Sequence, residues 1–194
     1  MDNWLKIINV LGKNVGESFT IRGLSIKSKV SYATTYRLIK RFKKYSTHLI
    51  KTVGRAETIK INPVSENIVS FLTISSQNEL LNYLEKNKII NEIRNKVIKR
   101  DNIVLLFGSY AKNEQNKNSD IDLLIINKTG NKDYSFHAEE LLFNIKINPI
   151  YIKESEFKEM LKEEQENVGK QALKTHVLLS EPNKFWRLII NEFK

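Results

Sequence analysis

The run Phe107-Gly108-Ser109-Tyr110-Ala111-Lys112 and, beyond it, Ser119-Asp120-Ile121-Asp122-Leu123-Leu124 join a glycine-serine turn to two alternating carboxylates. Residues 103 to 107 are all apolar and read as a buried strand, which Gly108-Ser109 breaks in the manner of a strand-to-helix turn. Free backbone amides and the helix dipole at such a turn favour a phosphate, and the glycine lets the backbone approach the ligand closely. Asp120 and Asp122 open a second apolar strand over residues 121 to 126. Side chains two apart on a strand share a face, so both carboxylates project toward one point. Two hard oxygen ligands converging there suit Mg²⁺.

The spacing is as informative as the residue types. Glycine, serine, ten intervening residues and then Asp-x-Asp resembles the signature of the minimal nucleotidyltransferases of the DNA polymerase beta superfamily, over roughly residues 88 to 155. The resemblance implies attack by a hydroxyl on the α phosphate of a nucleoside triphosphate, with pyrophosphate leaving. Carried onto this chain, it assigns Asp120 and Asp122 to catalysis and to a divalent metal, Mg²⁺ or Mn²⁺, and it assigns Gly108, Ser109, Lys112 and Ser119 to the triphosphate. The family usually adds a third carboxylate on the next strand, and the matching position in Lys146-Ile147-Asn148-Pro149-Ile150-Tyr151-Ile152 is Asn148. Asparagine ligates a metal through its carbonyl but accepts no proton at neutral pH. Glu139, Glu140 and Glu154 are the acids that could take its place if the fold brings one near.

The formal net charge of +10 is unevenly spread. Residues 1 to 62 hold 13 Lys and Arg against 3 Asp and Glu, which leaves 19 against 19 in residues 63 to 194. All the excess therefore lies in the first third, as expected of one segment built to meet a polyanion, nucleic acid foremost. There is no cysteine, so disulfides and thiolate metal sites are excluded. A signal-like apolar N terminus and apolar runs near membrane-spanning length are also missing, and the expectation is a cytoplasmic protein with no membrane partner.

Within the basic segment, Trp4, Ile7, Ile8 and Leu11 make one apolar stripe of a first helix. Thr20 is placed to cap a second helix through Lys27, and Ser31 a third that runs to about Tyr45 with Thr35, Ile39 and Phe42 inward. Residues 49–51 and 57–61 alternate as strands around the turn Val53-Gly54-Arg55-Ala56. Three helices followed by a hairpin resemble a winged helix-turn-helix, which implies double-stranded DNA as a partner, with the third helix in the major groove and the wing on the backbone or minor groove. The resemblance nominates Ser31, Tyr32, Thr34, Arg37 and Arg41 on the helix and Lys51 and Arg55 at the wing. The competing reading of this basic face is a solvated or protein-docking surface.

Residues 65–74 and 77–100 carry apolar side chains at helical intervals; the first stretch either connects the domains or pairs with a second copy of itself in a homodimer. Helices are expected over 134–143, 154–169 and parts of 170–194, and a third strand over 144–152. The chain should thus be α/β (α+β), with a winged helix-turn-helix over residues 1–62, a helical connector over 63–87 and a nucleotidyltransferase-like domain over 88–194, its small mixed sheet carrying helices on one face and ending in C-terminal helices. His137 and His176 have no partner at metal-binding spacing. Two functions follow. One is an enzyme that transfers a nucleoside monophosphate to a hydroxyl of a small molecule or protein, a helical toxin partner being one acceptor that the resemblance suggests. The alternative is a transcriptional regulator or antitoxin whose degenerate catalytic domain only binds nucleotide or a partner, which Asn148 and the basic N-terminal segment favour.

Overall fold

The structure is a computed structural model and describes residues 2–54 and 56–194. The chain divides into two compact units, Met1–Asn78 with Trp186–Lys194, and Glu79–Phe185.

In the first unit Asp2 starts helix α1 (Asn3–Lys13) by accepting a hydrogen bond from the Trp4 amide at 2.8 Å. The Trp4, Ile7, Ile8, Leu11 stripe is buried, as apolar side chains at intervals of three and four require. A two-residue strand β1 (Phe19–Thr20) leads into α2 (Ile21–Ser28), capped by the Thr20 hydroxyl, and α3 (Tyr32–Phe42) is capped by Ser31. Helix α3 buries Thr35 and Ile39 and passes into a 3₁₀ turn, Lys43–Tyr45, while the Phe42 ring stacks on Trp4 at 4.2 Å. Strands β2 (His48–Val53) and β3 (Ala56–Ile61) form an antiparallel hairpin that turns through Gly54 at φ +60°. The sheet order is β1-β3-β2. Two residues are too few for alternation to reveal, which is why β1 was not expected. Arg55 lies outside the described residues.

The stretch after the hairpin is not broken at Ser75-Ser76. Helix α4 (Ile68–Leu84) runs through both serines. Ser75 donates to the Leu5 carbonyl at 2.8 Å, and Ser76 accepts the Trp186 indole N–H at 2.8 Å, so both hydroxyls have tertiary partners and do not unwind the helix. The break falls instead before α5 (Lys88–Val97).

The second unit continues with β4 (Ile103–Phe107), α6 (Gly108–Lys112), β5 (Ile121–Asn127), α7 (His137–Phe143), β6 (Ile147–Lys153), α8 (Glu154–Lys162), α9 (Val168–Lys174), β7 (Val177–Ser180) and the start of α10 (Pro182–Glu192). Its sheet order is β6-β5-β4-β7, with β5 and β6 parallel and the other pairs antiparallel. The expected helix over 154–169 is two helices, because Asn167 caps α9 by accepting from the Lys170 amide at 3.0 Å. The helical end expected within 170–194 is α10, and it is preceded by the buried strand β7, whose four residues are indistinguishable by pattern from a piece of buried helix. Nor do the helices lie on one face only. Val104, Leu106, Leu123 and Ile125 pack with Ile90, Ile93 and Val97 of α5. Leu105, Leu124 and Ile126 point the other way and are equally buried, and α8 and α9 touch β5 and β4. This two-sided burial explains why β4 and β5 read as continuous apolar runs. Compactness divides the chain after Asn78 and after Phe185 rather than near residues 62 and 87. Among the described residues no helix is long and apolar enough to cross a membrane.

Candidate functional site

Beyond β4 the backbone turns at Gly108 with φ +68°, a left-handed conformation that glycine adopts without steric cost. The ladder pairs Phe107 with Asp122, and a Cβ on Gly108 would overlap Asp122 Oδ2. Gly108 is thus fixed twice, by its backbone angle and by the approach of a carboxylate. The short helix that follows is anchored by buried Tyr110, whose carbonyl accepts the Tyr83 hydroxyl at 2.8 Å. Burial, and the neighbouring Tyr110, push Tyr83 up to about 12, so it remains a donor at physiological pH. Ser109 is half-buried at the turn, and Lys112 is exposed one turn on.

Asp120 and Asp122 share the strand face of Phe107, and the parallel register of β5 with β6 sets Asn148 directly beside Asp122. Asn148 Nδ2 donates to Asp120 Oδ2 at 3.0 Å and approaches Asp122 Oδ1 at 3.5 Å. Pro149, which has no N–H to give, is tolerated because β6 is an edge strand. Gly108, Asp120, Asp122 and Asn148 therefore converge. Lys146 joins them with its Nζ 3.5 Å from Asp120 Oδ2. Sequence reasoning missed this lysine, although its position two residues before Asn148 carried the signal for a shared face. The Ser119 hydroxyl accepts the Asn116 amide at 2.9 Å and closes the loop leading to Asp120.

None of the three candidate replacement acids joins the pair. Glu139 is bound to Lys96 at 2.7 Å, and Glu140 accepts the Ile147 amide at 2.9 Å, where it holds the start of β6. Glu154 begins α8 at the far end of β6, about 20 Å along the strand from Asn148 at some 3.3 Å per residue. Among the described residues no group of three or more His, Cys, Asp or Glu is arranged to hold a metal. The two carboxylates are nevertheless hard-oxygen donors of the kind that Mg²⁺ or Mn²⁺ takes, whereas Asn148, expected as a third ligand, turns its Nδ2 and not its carbonyl toward them.

In the first unit Ser31, Tyr32, Arg37 and Arg41 of α3 and Lys51 of β2 are exposed, while Thr34 is half-buried. Ser31 donates to the Thr34 hydroxyl at 2.9 Å, and Arg37 donates to the same oxygen at 3.4 Å. Lys40 is tied to Glu57 of the hairpin at 2.7 Å, which raises its pKa. Beside these residues lies a groove of about 330 Å³ lined by Arg22, Tyr32, Tyr36 and Glu57. Arg22 and Tyr36 had not been singled out, because single residues on two separate helices carry no shared motif.

A family model described as a nucleotidyltransferase domain matches residues 86–194. No curated protein and no solved structure gives a significant match. The family match covers more than half of the chain and includes the Gly108 turn, both aspartates and the strand bearing Asn148, so the chain belongs to the nucleotidyltransferase-domain family, which supports a nucleotidyl-transfer function.

Proposed function

We propose that the second unit transfers a nucleoside monophosphate from a nucleoside triphosphate to a hydroxyl acceptor at Asp120 and Asp122, which would hold Mg²⁺ or Mn²⁺. The observation that carries this reading is the meeting of the Gly108 turn with both carboxylates, so tight that a Cβ on Gly108 would strike Asp122. The acceptor oxygen bonds to the α phosphorus, the bond to the bridging oxygen breaks with its electron pair on pyrophosphate, and the hydroxyl proton passes to solvent. The divalent cation would supply neutralising charge to the phosphates. Ser109 and the turn amides bind the β and γ phosphates, and Lys112 adds an exposed charge to them. Asn148 orients the carboxylates but takes no proton. The general-base contribution, typically about 10²- to 10⁴-fold, is therefore missing and turnover is slow. That missing acid also favours a second reading, in which the domain binds nucleotide for regulation and turns over little.

For the first unit we infer a winged helix-turn-helix that binds duplex DNA through α3 and the hairpin, on the strength of the excess positive charge of residues 1–62 and the exposure of Arg37, Arg41 and Lys51.

The test of the catalytic reading is thermal melting with ATP and other triphosphates, with and without Mg²⁺ or Mn²⁺, alongside pyrophosphate release. The melting temperature should rise only when metal and triphosphate are both present, and Asp120→Asn with Asp122→Asn should abolish the rise. An undiminished rise in that double variant would refute the metal assignment. A full rise without pyrophosphate release would select the regulatory reading.

A further inference from the structure

We propose that the carboxylate pair takes a single divalent cation, and that the Lys146 ammonium supplies the positive charge that a second cation would otherwise provide. This rests on the assignment of Asp120 and Asp122 as metal-holding residues. Two-metal displacement places two divalent ions about 3.5–4 Å apart. Such a pair brings four positive charges, part of which the triphosphate offsets while anionic protein ligands hold the ions in place. Here the groups linked by contacts of 3.5 Å or less, Asp122 to Asn148 to Asp120 to Lys146, are two aspartates, a neutral amide and a lysine, with a net formal charge of one negative. No third acid makes up the difference, since Glu139 is held by Lys96, Glu140 by the Ile147 amide, and Glu154 stands at the other end of β6. Asn148 faces the pair with its amide nitrogen and brings no negative charge to it.

Lys146 has the opposite credentials. It lies two residues before Asn148, so alternation sets it on the same face. Its Nζ already lies 3.5 Å from Asp120 Oδ2, and its side chain is 67% exposed on a flexible stem. The ammonium can therefore leave Asp120 for a phosphate oxygen of the triphosphate without a burial cost, and there it offsets the negative charge that gathers on the departing pyrophosphate.

The experiment counts Mn²⁺ retained by the full chain in the presence of a non-hydrolysable triphosphate analogue, read by electron paramagnetic resonance, together with analogue affinity and single-turnover transfer. Wild type should retain one Mn²⁺ per chain. Lys146→Ala should keep that count while lowering analogue affinity or transfer about tenfold or more, the usual loss for a charge-assisted contact, and Lys146→Arg should restore most of it. Asn148→Asp combined with Lys146→Ala should raise the count to two. Two Mn²⁺ in wild type would overturn the inference while leaving the metal site itself standing. Unchanged affinity and transfer in Lys146→Ala would overturn the role of the lysine. No retained Mn²⁺ in wild type, and none in Asp120→Asn, would instead remove the metal assignment on which the inference rests.

Discussion

The two units dispose charge in contrasting ways. The first spreads cations over exposed positions of α3 and β2, where Arg37, Arg41 and Lys51 can each meet an anion independently of the others. The second gathers two carboxylates, an amide and a lysine at one sheet end, where β4, β5 and β6 jointly set their positions. A polyanion-binding face works by charge density, so its losses are graded. A reaction site works by position, and one misplaced group disables it.

The sharpest break of that contrast is Gly108→Val. A side chain there meets left-handed backbone, at a cost of about 1–3 kcal/mol, and collides with Asp122. Misplacing a reacting group is expected to lower transfer by about 10²-fold or more, measured as pyrophosphate release. Both tryptophans, Trp4 and Trp186, belong to the first unit, so tryptophan fluorescence reports unfolding of that unit and should be unchanged. Full activity in Gly108→Val would mean that the turn does not position the chemistry.

A smaller, graded effect is expected on the other side. DNA binding by the full chain is the measurement, since residues 1–62 alone lack α4 and the Trp186–Lys194 segment that complete the first unit. Affinity should fall steeply with salt as condensed counterions are released. Arg37→Ala and Arg41→Ala should each reduce the log–log salt slope by about 1 if they meet phosphates, with pyrophosphate release unaffected. An unaltered slope in the double variant would point to a protein-docking face.

The mildest effect concerns His48, buried against Trp4, with Nε2 3.0 Å from the Ile39 carbonyl and Nδ1 3.2 Å from the Thr47 hydroxyl. Burial lowers its pKa below the usual 6.5, and this outweighs the raising effect of the Ile39 carbonyl. The unfolded chain therefore binds a proton more readily than the folded one. Stability is full above pH about 6.5 and is lost as pH falls from there through the folded pKa, at about 1.4 kcal/mol for each unit separating the two values. Urea midpoints followed by tryptophan fluorescence between pH 7.5 and 5 should show this loss, and His48→Gln should flatten it.

Much of the site was legible because its parts are local in sequence. An apolar run ending in glycine-serine, and aspartates at alternate positions of a second run, state strand, turn and shared face without reference to the rest of the chain. The caps Thr20 and Ser31 were readable for the same reason. The family pattern puts Asn148 at the position of the third carboxylate, and the parallel β5–β6 register pairs that residue with Asp122. Illegible were features whose cause lies far away in sequence. The persistence of α4 through Ser75-Ser76 depends on Leu5 and Trp186. The strand character of residues 177–180 depends on pairing with β4.

By itself the sequence determined the nucleotidyl-transfer signature, the order of strands β4, β5 and β6 and the concentration of positive charge in the first third, because periodicity, turn chemistry and charge are properties of neighbouring residues. Only the tertiary structure decided the rest: that Gly108 has no room for a Cβ beside Asp122, that Glu139 and Glu140 are committed elsewhere while Glu154 stands at the far end of β6, and that Lys146 stands at Asp120. These outcomes depend on strand register and on which helix packs over which face. Register and packing are settled by burial and hydrogen bonding summed over distant segments, which a local pattern does not contain.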